Sequence, residues 1–162
     1  MGLTEAQRAA LAQMLGTAPN LDLWRLRAQR LEQPETGSDL GIDDQIFPHM
    51  EVSQVARMSL VLAGEHLRLA LVAIEAQQLY PSSHFTVLRG ALVGASQTVW
   101  ILGPEDRHQR CERALTVIAE MYDQLEKYYN SLARTQLDDA DRTSLDGQRA
   151  WVRERKKGVA AK

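Results

Sequence analysis

Apolar residues recur every three to four positions along most of this 162-residue chain, whereas no segment shows sustained alternation of apolar and polar residues. The first spacing is typical of amphipathic α-helices and the second of β-strands. We therefore predict an all-α protein. Proline, glycine and capping residues divide the pattern into separate helices. The predicted helices cover residues 4–15, 20–33, 52–79, 83–103, 104–132 and 138–157.

The three longest predicted helices, over 52–79, 83–103 and 104–132, follow one another through short connections. Helices joined in this way become antiparallel neighbours. The first of them carries two apolar stripes and the second is apolar on most sides, so we expect both to be largely buried. The predicted fold class is an antiparallel helical bundle of about five to six helices, with these three long helices at its core.

Residues 34–48 are rich in proline, glycine, serine and aspartate, a composition that favours turns. We predict the main loop there, without a regular element. The last helix begins at Asp138 or Ser144, and Gly147 makes it the weakest of the set. The expected organisation is a helical bundle domain over 1–137, followed by a C-terminal helix and basic tail over 138–162.

Composition narrows the class of protein. Hydrophobic residues make up 44% and charged residues 25% of the chain, which is typical of a folded globular domain. Cys111 is the single cysteine and cannot form an intramolecular disulfide, and the first residues do not resemble the basic start, apolar stretch and cleavage site of a secretion signal. Charged residues interrupt the apolar stretch over 52–79, which a membrane-spanning helix would not tolerate. We expect a soluble cytoplasmic protein without a membrane partner.

The net charge of −2 is unevenly distributed, because six Lys and Arg residues outnumber one Glu from residue 149 onward. A basic end of this kind can contact RNA, DNA or an acidic protein, although most such ends are only solvated. Three further arginines follow at close spacing in the predicted helix over 104–132. The candidate nucleic-acid residues are Arg107, Arg110, Arg113, Arg153, Arg155, Lys156 and Lys157.

One candidate polar cluster involves two of the apolar helices. Arg89 stands in an otherwise apolar helix and needs a carboxylate partner if it is buried. Glu65 and Glu75 are available on the preceding helix, and His66 lies on one of its apolar stripes. Glu65, His66 and Arg89 are therefore the candidates for a polar cluster or ligand site, with a half-exposed or structurally paired Arg89 favoured over anion binding.

Two other groups concern packing and metals. Gly90 and Gly94 are spaced so that a second helix can approach closely, within the chain or across a dimer. Glu105, His108 and Glu112 share one helix face and resemble half of a di-iron carboxylate motif, but the second half is absent. Neighbouring arginines favour a solvated charged face here, so we expect no metal and no cofactor.

The segments TVLRGAL at 86–92 and VWILGP at 99–104, followed by Arg107 and Arg110, resemble a pattern found in uncharacterised all-helical proteins of actinobacteria and their phages. The resemblance implies a helical fold. In those proteins an acidic residue commonly stands four positions after the first arginine, where this chain has Val93. The resemblance therefore carries over no shared Arg–Glu site and no activity.

A more distant similarity is to HEPN-type helical domains, some of which are ribonucleases of toxin or phage-defence systems. Their catalytic signature is an arginine followed by a histidine about four to six residues later. None of the four histidines follows an arginine at that spacing, and Arg107 and His108 are adjacent. This similarity implies a binding relative rather than an active nuclease.

Three hypotheses for the function follow. The favoured one is a non-enzymatic interaction module, a homodimer that buries the apolar faces of the helices over 83–103 and 104–132 against itself or a protein partner. The second is a nucleic-acid-directed, HEPN-like protein of a phage-defence or toxin–antitoxin system. The third and least favoured is a metal-dependent helical-bundle enzyme.

Overall fold

The computed structural model describes residues 4–28, 30, 32–78 and 80–162. This part of the chain is 79% helical and contains no strand, which confirms the all-α prediction. The helices are α1 (Glu5–Leu15), α2 (Ala18–Ala28), α3 (Asp39–Asp43), α4 (Val52–Glu75), α5 (Pro81–Leu102), α6 (Arg107–Leu132) and α7 (Asp139–Ala160).

Side chains cap the helices at both ends of the chain. At α1 the Gln7 backbone N–H donates to Thr4 Oγ1 at 3.3 Å, and the Thr4 N–H donates to Gln7 Oε1 at 2.9 Å. This reciprocal capping box satisfies two N–H groups that a helix start leaves free. At α7 the Asp138 side chain accepts the Asp141 N–H at 2.8 Å. The last helix therefore begins at the earlier of its two predicted starts.

The end of α2 and the start of α5 differ from the predicted positions. Helix α2 ends at Ala28, earlier than predicted. Gln29, Leu31 and Leu79, which the second and third predicted helices included, lie outside the described residues. Pro81 begins α5, two residues before the predicted start, because a proline at the first helical position lacks only an N–H that has no partner there.

The predicted loop over 34–48 is partly helical, which corrects the expectation of no regular element. Ser38 Oγ accepts the Gly41 N–H at 3.2 Å and caps the five-residue helix α3. A 3-10 turn over Asp44–Ile46 follows directly. Serine and aspartate are favoured at helix starts as well as in turns, so composition alone did not separate the two structures.

The chain folds into two compact units, each assembled from two separate stretches. The first unit comprises Met1–Gln33 and Ala56–Leu102 and contains α1, α2, most of α4, and α5. The second comprises Pro34–Val55 and Gly103–Lys162 and contains α3, the first turn of α4, α6 and α7. The domain division expected at residue 137 stays a prediction.

In the first unit, α4 and α5 form an antiparallel hairpin with close backbone contact. A methyl group added at Gly94 would lie 2.6 Å from the Ser59 carbonyl oxygen, and one added at Gly90 would lie 2.6 Å from His66 Nε2. A larger residue at position 94 would push the helices apart because it meets backbone atoms of α4, whereas one at position 90 would have to displace the His66 ring. The two glycines therefore serve close packing within the chain, one of the two alternatives that the sequence left open.

In the second unit, α6 and α7 form another antiparallel hairpin, but with large side chains inside. Ile118 and Val152 are completely buried, and the rings of Tyr122 and Trp151 meet edge to face with centroids 5.8 Å apart. Phe47, from the stretch that precedes α4, is also buried in this unit. One apolar side of α6, which includes Cys111, Ile118 and Tyr122, is therefore buried within this unit.

Candidate functional site

Helix α5 exposes its large apolar residues instead of burying them. Its buried residues are the small Ala91 and Gly94, together with Ile101. The prediction that this helix is largely buried is therefore wrong, because small residues occupy the side that contacts α4. The exposed large apolar residues of α5 are Phe85, Leu88, Leu92, Val93, Val99, Trp100 and Leu102.

Helix α4 carries a second exposed apolar stripe. Its apolar members are 44–57% exposed and are Met58, Leu62, Leu69 and Val72. With Glu65 between Leu62 and Leu69, the members of the stripe follow one another at alternating steps of four and three residues. This is the spacing with which helices pack side by side in bundles. We call this stripe, together with the exposed apolar residues of α5, the hairpin face.

The predicted polar cluster lies on the same hairpin, but its members are not bonded to one another in the described structure. His66 is half-buried between the two helices, whereas Glu65 and Arg89 are exposed. Glu75, the other carboxylate considered for Arg89, pairs with Arg68 at 3.0 Å. Neither Glu65 nor Arg89 forms an ion pair with any residue that the structure describes. The expected neutralisation of Arg89 within the chain is thus wrong, because its side chain is in solvent.

Two open grooves adjoin α4 in the first unit. The larger, about 680 Å³, runs between the two N-terminal helices and the hairpin and has apolar walls that include Trp24 and Phe85. The smaller, about 410 Å³, lies between α2 and α4 and includes charged side chains. Two of those charges are used within the chain: Arg57 donates to a backbone carbonyl at 2.9 Å, and Arg68 pairs with Asp22 at 3.3 Å. Glu65 also lines this groove and forms no ion pair with a described residue. The larger groove therefore extends the exposed apolar surface of the first unit.

Arg110, predicted as a nucleic-acid residue, is buried in an ion pair of the second unit. Its Nε donates to Asp43 Oδ2 at 2.6 Å, and its Nη1 donates to the carbonyl oxygens of Pro104 at 3.1 Å and Glu105 at 2.6 Å. Asp43 is completely buried, and its hydrogen bond with Arg110 raises the pKa of the guanidinium. The donors of Arg110 are occupied inside the protein, which corrects the prediction for this residue.

A second arginine approaches the same carboxylate. Arg107 Nε lies 3.3 Å from Asp43 Oδ1, and its Nη2 donates to the Ile42 carbonyl oxygen at 3.2 Å. Arg113, the third arginine of the predicted set on this helix, is half-buried. The sequence reasoning missed Asp43 because it lay in the predicted loop. The only signal was the pair Arg107 and Arg110, spaced to meet one acidic residue from the same helix face.

The basic end of the chain is helical and packs onto acidic residues of α6. Lys156 Nζ lies 2.5 Å from an Asp123 oxygen and 2.6 Å from a Glu126 oxygen. Hydrogen bonds to Lys156 lower the pKa of both carboxyls, and these carboxylates raise the pKa of Lys156. Arg153 also reaches Glu126 at 3.5 Å, and the Arg155 guanidinium lies over an indole ring of its own helix at 5.6 Å. Much of the predicted basic charge is therefore neutralised within the second unit, while Lys157 is exposed.

The residues compared with half of a di-iron motif, Glu105, His108 and Glu112, are all exposed. Across 4–28, 30, 32–78 and 80–162, no group of three or more His, Cys, Asp or Glu side chains is arranged to hold a metal ion. Cys111 is buried, and burial raises the pKa of its thiol, which disfavours the thiolate form.

Helix α5 is also, among the described residues, the one helix long and apolar enough to cross a membrane by length and composition. Only 17% of its most apolar stretch is buried. A core helix of similar composition would be mostly covered by its own chain, so α5 differs from one in having an open apolar face. Arg89, its single Lys, Arg, Asp or Glu residue, stands near its middle.

No family model, no curated protein and no solved structure matches this chain. The resemblances to actinobacterial helical proteins and to HEPN domains stay predictions. The features that bear on function are therefore the hairpin face and the two unpaired charges on it.

Proposed function

We propose that this protein is a non-enzymatic interaction module that forms a homodimer through the hairpin face. The observation that carries the proposal is the outward side of α5, where Phe85, Leu92 and Val99 are 68–79% exposed. Monomeric soluble proteins rarely leave a contiguous apolar surface uncovered. A partner that buries such residues gains about 1.5–3 kcal/mol for each large apolar side chain that becomes fully covered.

The surface proposed for the dimer differs from the one that the sequence suggested. The sequence pointed to the helices over 83–103 and 104–132. Helix α6 already buries its stripe inside the second unit, at Ile118 and Tyr122. The exposed stripe of α4 takes its place, because Met58, Leu62 and Leu69 are open to solvent.

A second copy of the chain is a better occupant of the hairpin face than a lipid bilayer. Glu65 and Arg89 are exposed members of the stripes that form the face, and each would be costly in the hydrocarbon core. A protein partner can pair these charges instead of leaving them unsatisfied. This difference favours the homodimer over membrane insertion.

The nucleic-acid hypothesis has less support. Arg110 is buried, and Lys156 and Arg153 already pair with carboxylates of α6. Nucleic-acid affinity depends on phosphate neutralisation by free Lys and Arg residues and falls steeply with salt. Fluorescence anisotropy with labelled RNA and DNA at two salt concentrations tests this alternative, and strongly salt-dependent binding at physiological salt would favour it.

Size-exclusion chromatography with light scattering tests the homodimer. We expect twice the chain mass of 18.2 kDa at micromolar concentration. Leu92→Lys and Val99→Glu should shift the protein to the monomer, whereas the matched control Gln148→Lys, at an exposed position of α7, should not. A strict monomer at all concentrations, or co-sedimentation of the wild-type chain with phosphatidylcholine vesicles, would contradict the proposal.

A further inference from the structure

Helices α4 and α5 carry two opposite charges that form neither an ion pair nor a side-chain hydrogen bond with any residue that the structure describes. Their other charged residues are used internally, since Arg68 pairs with Glu75 and Arg57 donates to a backbone carbonyl. The two that remain are Glu65 on α4 and Arg89 on α5, and both are exposed. The hairpin face therefore presents one negative and one positive charge.

These two charges lie at the same level along the hairpin. Successive contacts move toward the start of α4 as they move toward the end of α5, as expected for antiparallel helices. The contact pairs are His66 with Gly90, Ser59 with Gly94, and Ala56 with Thr98. Glu65 lies nine residues after Ala56 and Arg89 lies nine residues before Thr98, so this last contact places the two charges at one level.

Each charge is also a member of an exposed stripe with alternating steps of three and four residues. Such stripes bring two helices together along their whole length, as in antiparallel bundles. Charged or polar residues inside them fix the register and orientation of the partners. The stripe on α4 is Met58, Leu62, Glu65, Leu69 and Val72, and the stripe on α5 is Phe85, Arg89, Leu92, Ser96 and Val99.

On the basis of the homodimer proposed above, we propose that Glu65 of each protomer pairs with the partner's Arg89, and that this reciprocal pair sets the geometry of the dimer. A twofold axis parallel to the helices lays each α4 antiparallel on α5 of the partner and completes a four-helix bundle. Because the two charges lie at one level, this rotation brings both opposite-charge pairs together.

The charges select this arrangement over the obvious alternative. A twofold axis perpendicular to the helices, and in the plane of the hairpin, would stack α4 on α4 and α5 on α5. It would bring like charges together, Glu65 near its own symmetry mate and Arg89 near its own. Like-charge contacts across an interface are strongly unfavourable, so the parallel axis is the one that the sequence encodes.

The hairpin face is large enough for a specific dimer. Two helices about 35 Å long and packed side by side present a surface about 20 Å wide, or roughly 700 Å² per protomer. The total of roughly 1,400 Å² falls within the range of about 1,200–2,000 Å² that specific interfaces bury.

Charge reversal followed by mixing tests the reciprocal pair. Glu65→Arg and Arg89→Glu are made separately with distinguishable tags and measured by analytical ultracentrifugation. Each alone should weaken homodimerisation by about 100-fold or more, because it places like charges in the interface. An equimolar mixture should form a heterodimer of near wild-type affinity, since one chain then supplies both positive charges and the other both negative charges. The double variant should dimerise with itself.

The outcomes separate this inference from the proposed function. A wild-type monomer would overturn both. A wild-type dimer whose single reversals still dimerise, or whose singly reversed chains fail to form a heterodimer, would overturn the reciprocal pair and leave the homodimer in place. A Glu65–Arg89 interaction confined to one chain predicts no gain on mixing. Circular dichroism checks that each variant folds, and Glu154→Arg, an exposed reversal on α7, is the matched control.

Discussion

The two helical hairpins of this chain use similar apolar periodicity in opposite ways. The α6–α7 hairpin buries large residues such as Ile118 and Val152, and Lys156 pairs with carboxylates across the two helices. The α4–α5 hairpin packs through small residues, and Leu92 and Val99 point to solvent. The α6–α7 hairpin buries its large apolar residues within its own chain, whereas the α4–α5 hairpin leaves an apolar face that a second chain can cover.

The position of the small residues accounts for this difference. Glycine at positions 90 and 94 lets α4 and α5 approach closely, so there is no room for large side chains between the two helices. The large side chains of α5 therefore lie on the side that faces away from α4. A helix with apolar residues on most sides is therefore not necessarily a core helix. The side that carries its smallest residues indicates where its own chain packs.

The largest expected effect comes from breaking the buried ion pair of the second unit. Asp43→Ala leaves Arg110 buried without its carboxylate and should lower the free energy of unfolding by about 3–5 kcal/mol. Urea denaturation followed by circular dichroism measures the loss. Asp146→Ala is the control, because Asp146 pairs with Arg149 at 3.2 Å on the surface and its loss should cost at most about 1 kcal/mol. Equal effects of the two changes would contradict the central role of Asp43.

The same truncation in the two hairpins sharpens the comparison. Ile118→Ala removes a completely buried side chain and should cost about 2–5 kcal/mol of unfolding free energy. Leu92→Ala removes a side chain that is 68% exposed and should change the stability of the monomer by less than about 0.5 kcal/mol. Urea unfolding at low protein concentration compares them. A large loss at Leu92 under those conditions would show that its face is covered within the chain.

Two glycine substitutions should act in opposite directions. Gly94→Ala places a methyl group 2.6 Å from the Ser59 carbonyl oxygen and should destabilise the first unit by about 1–3 kcal/mol. Gly147→Ala meets no atom within 4 Å and should stabilise α7 by about 0.5–1 kcal/mol. Thermal unfolding detects both shifts. A stabilising Gly94→Ala would mean that the close approach of α4 and α5 is not required.

The smallest expected effect is a pH dependence of the α6–α7 contact. Lys156 lowers the pKa of Asp123 and Glu126, so the unfolded chain binds more protons than the folded one near pH 4. The stabilisation should be complete above about pH 5 and decline as the pH falls through the lowered values. The raised pKa of Lys156 adds a loss at the alkaline end, as the pH rises through that value. Lys156→Met should flatten the acid limb of a plot of Tm against pH, and an unchanged slope would contradict the assignment.

The sequence predicted the type and approximate extent of the long helices because periodicity and capping are local properties. Thr4 and Asp138 mark helix starts in both the sequence and the structure. The helical turn after Ser38 was missed, since the residues that begin a short helix are also those that form turns. Burial was predicted wrongly along α5, and the face of α6 that was assigned to a partner is buried within the chain, because a stripe of large residues does not say which side the chain itself will cover.

The sequence predicted which residues belong to the candidate site but not how they are arranged. Glu65, His66 and Arg89 do lie on one hairpin, as expected, but only His66 is enclosed by it. The pairing of Asp43 with Arg110 joins residues 67 positions apart, and no local pattern encodes such a contact. Long-range partners of single charges are therefore the part of the site that the sequence could not supply.

The discontinuous make-up of the second unit has a consequence during protein synthesis. Asp43 leaves the ribosome 67 residues before Arg110, an interval of about 3–13 s at usual elongation rates. By the end of that time all residues of the first unit have been translated, whereas Phe47 and Val52 wait for the C-terminal half of the chain. A nascent chain that stops before α7 is thus left with one complete unit and one exposed remnant, which quality-control proteases would recognise.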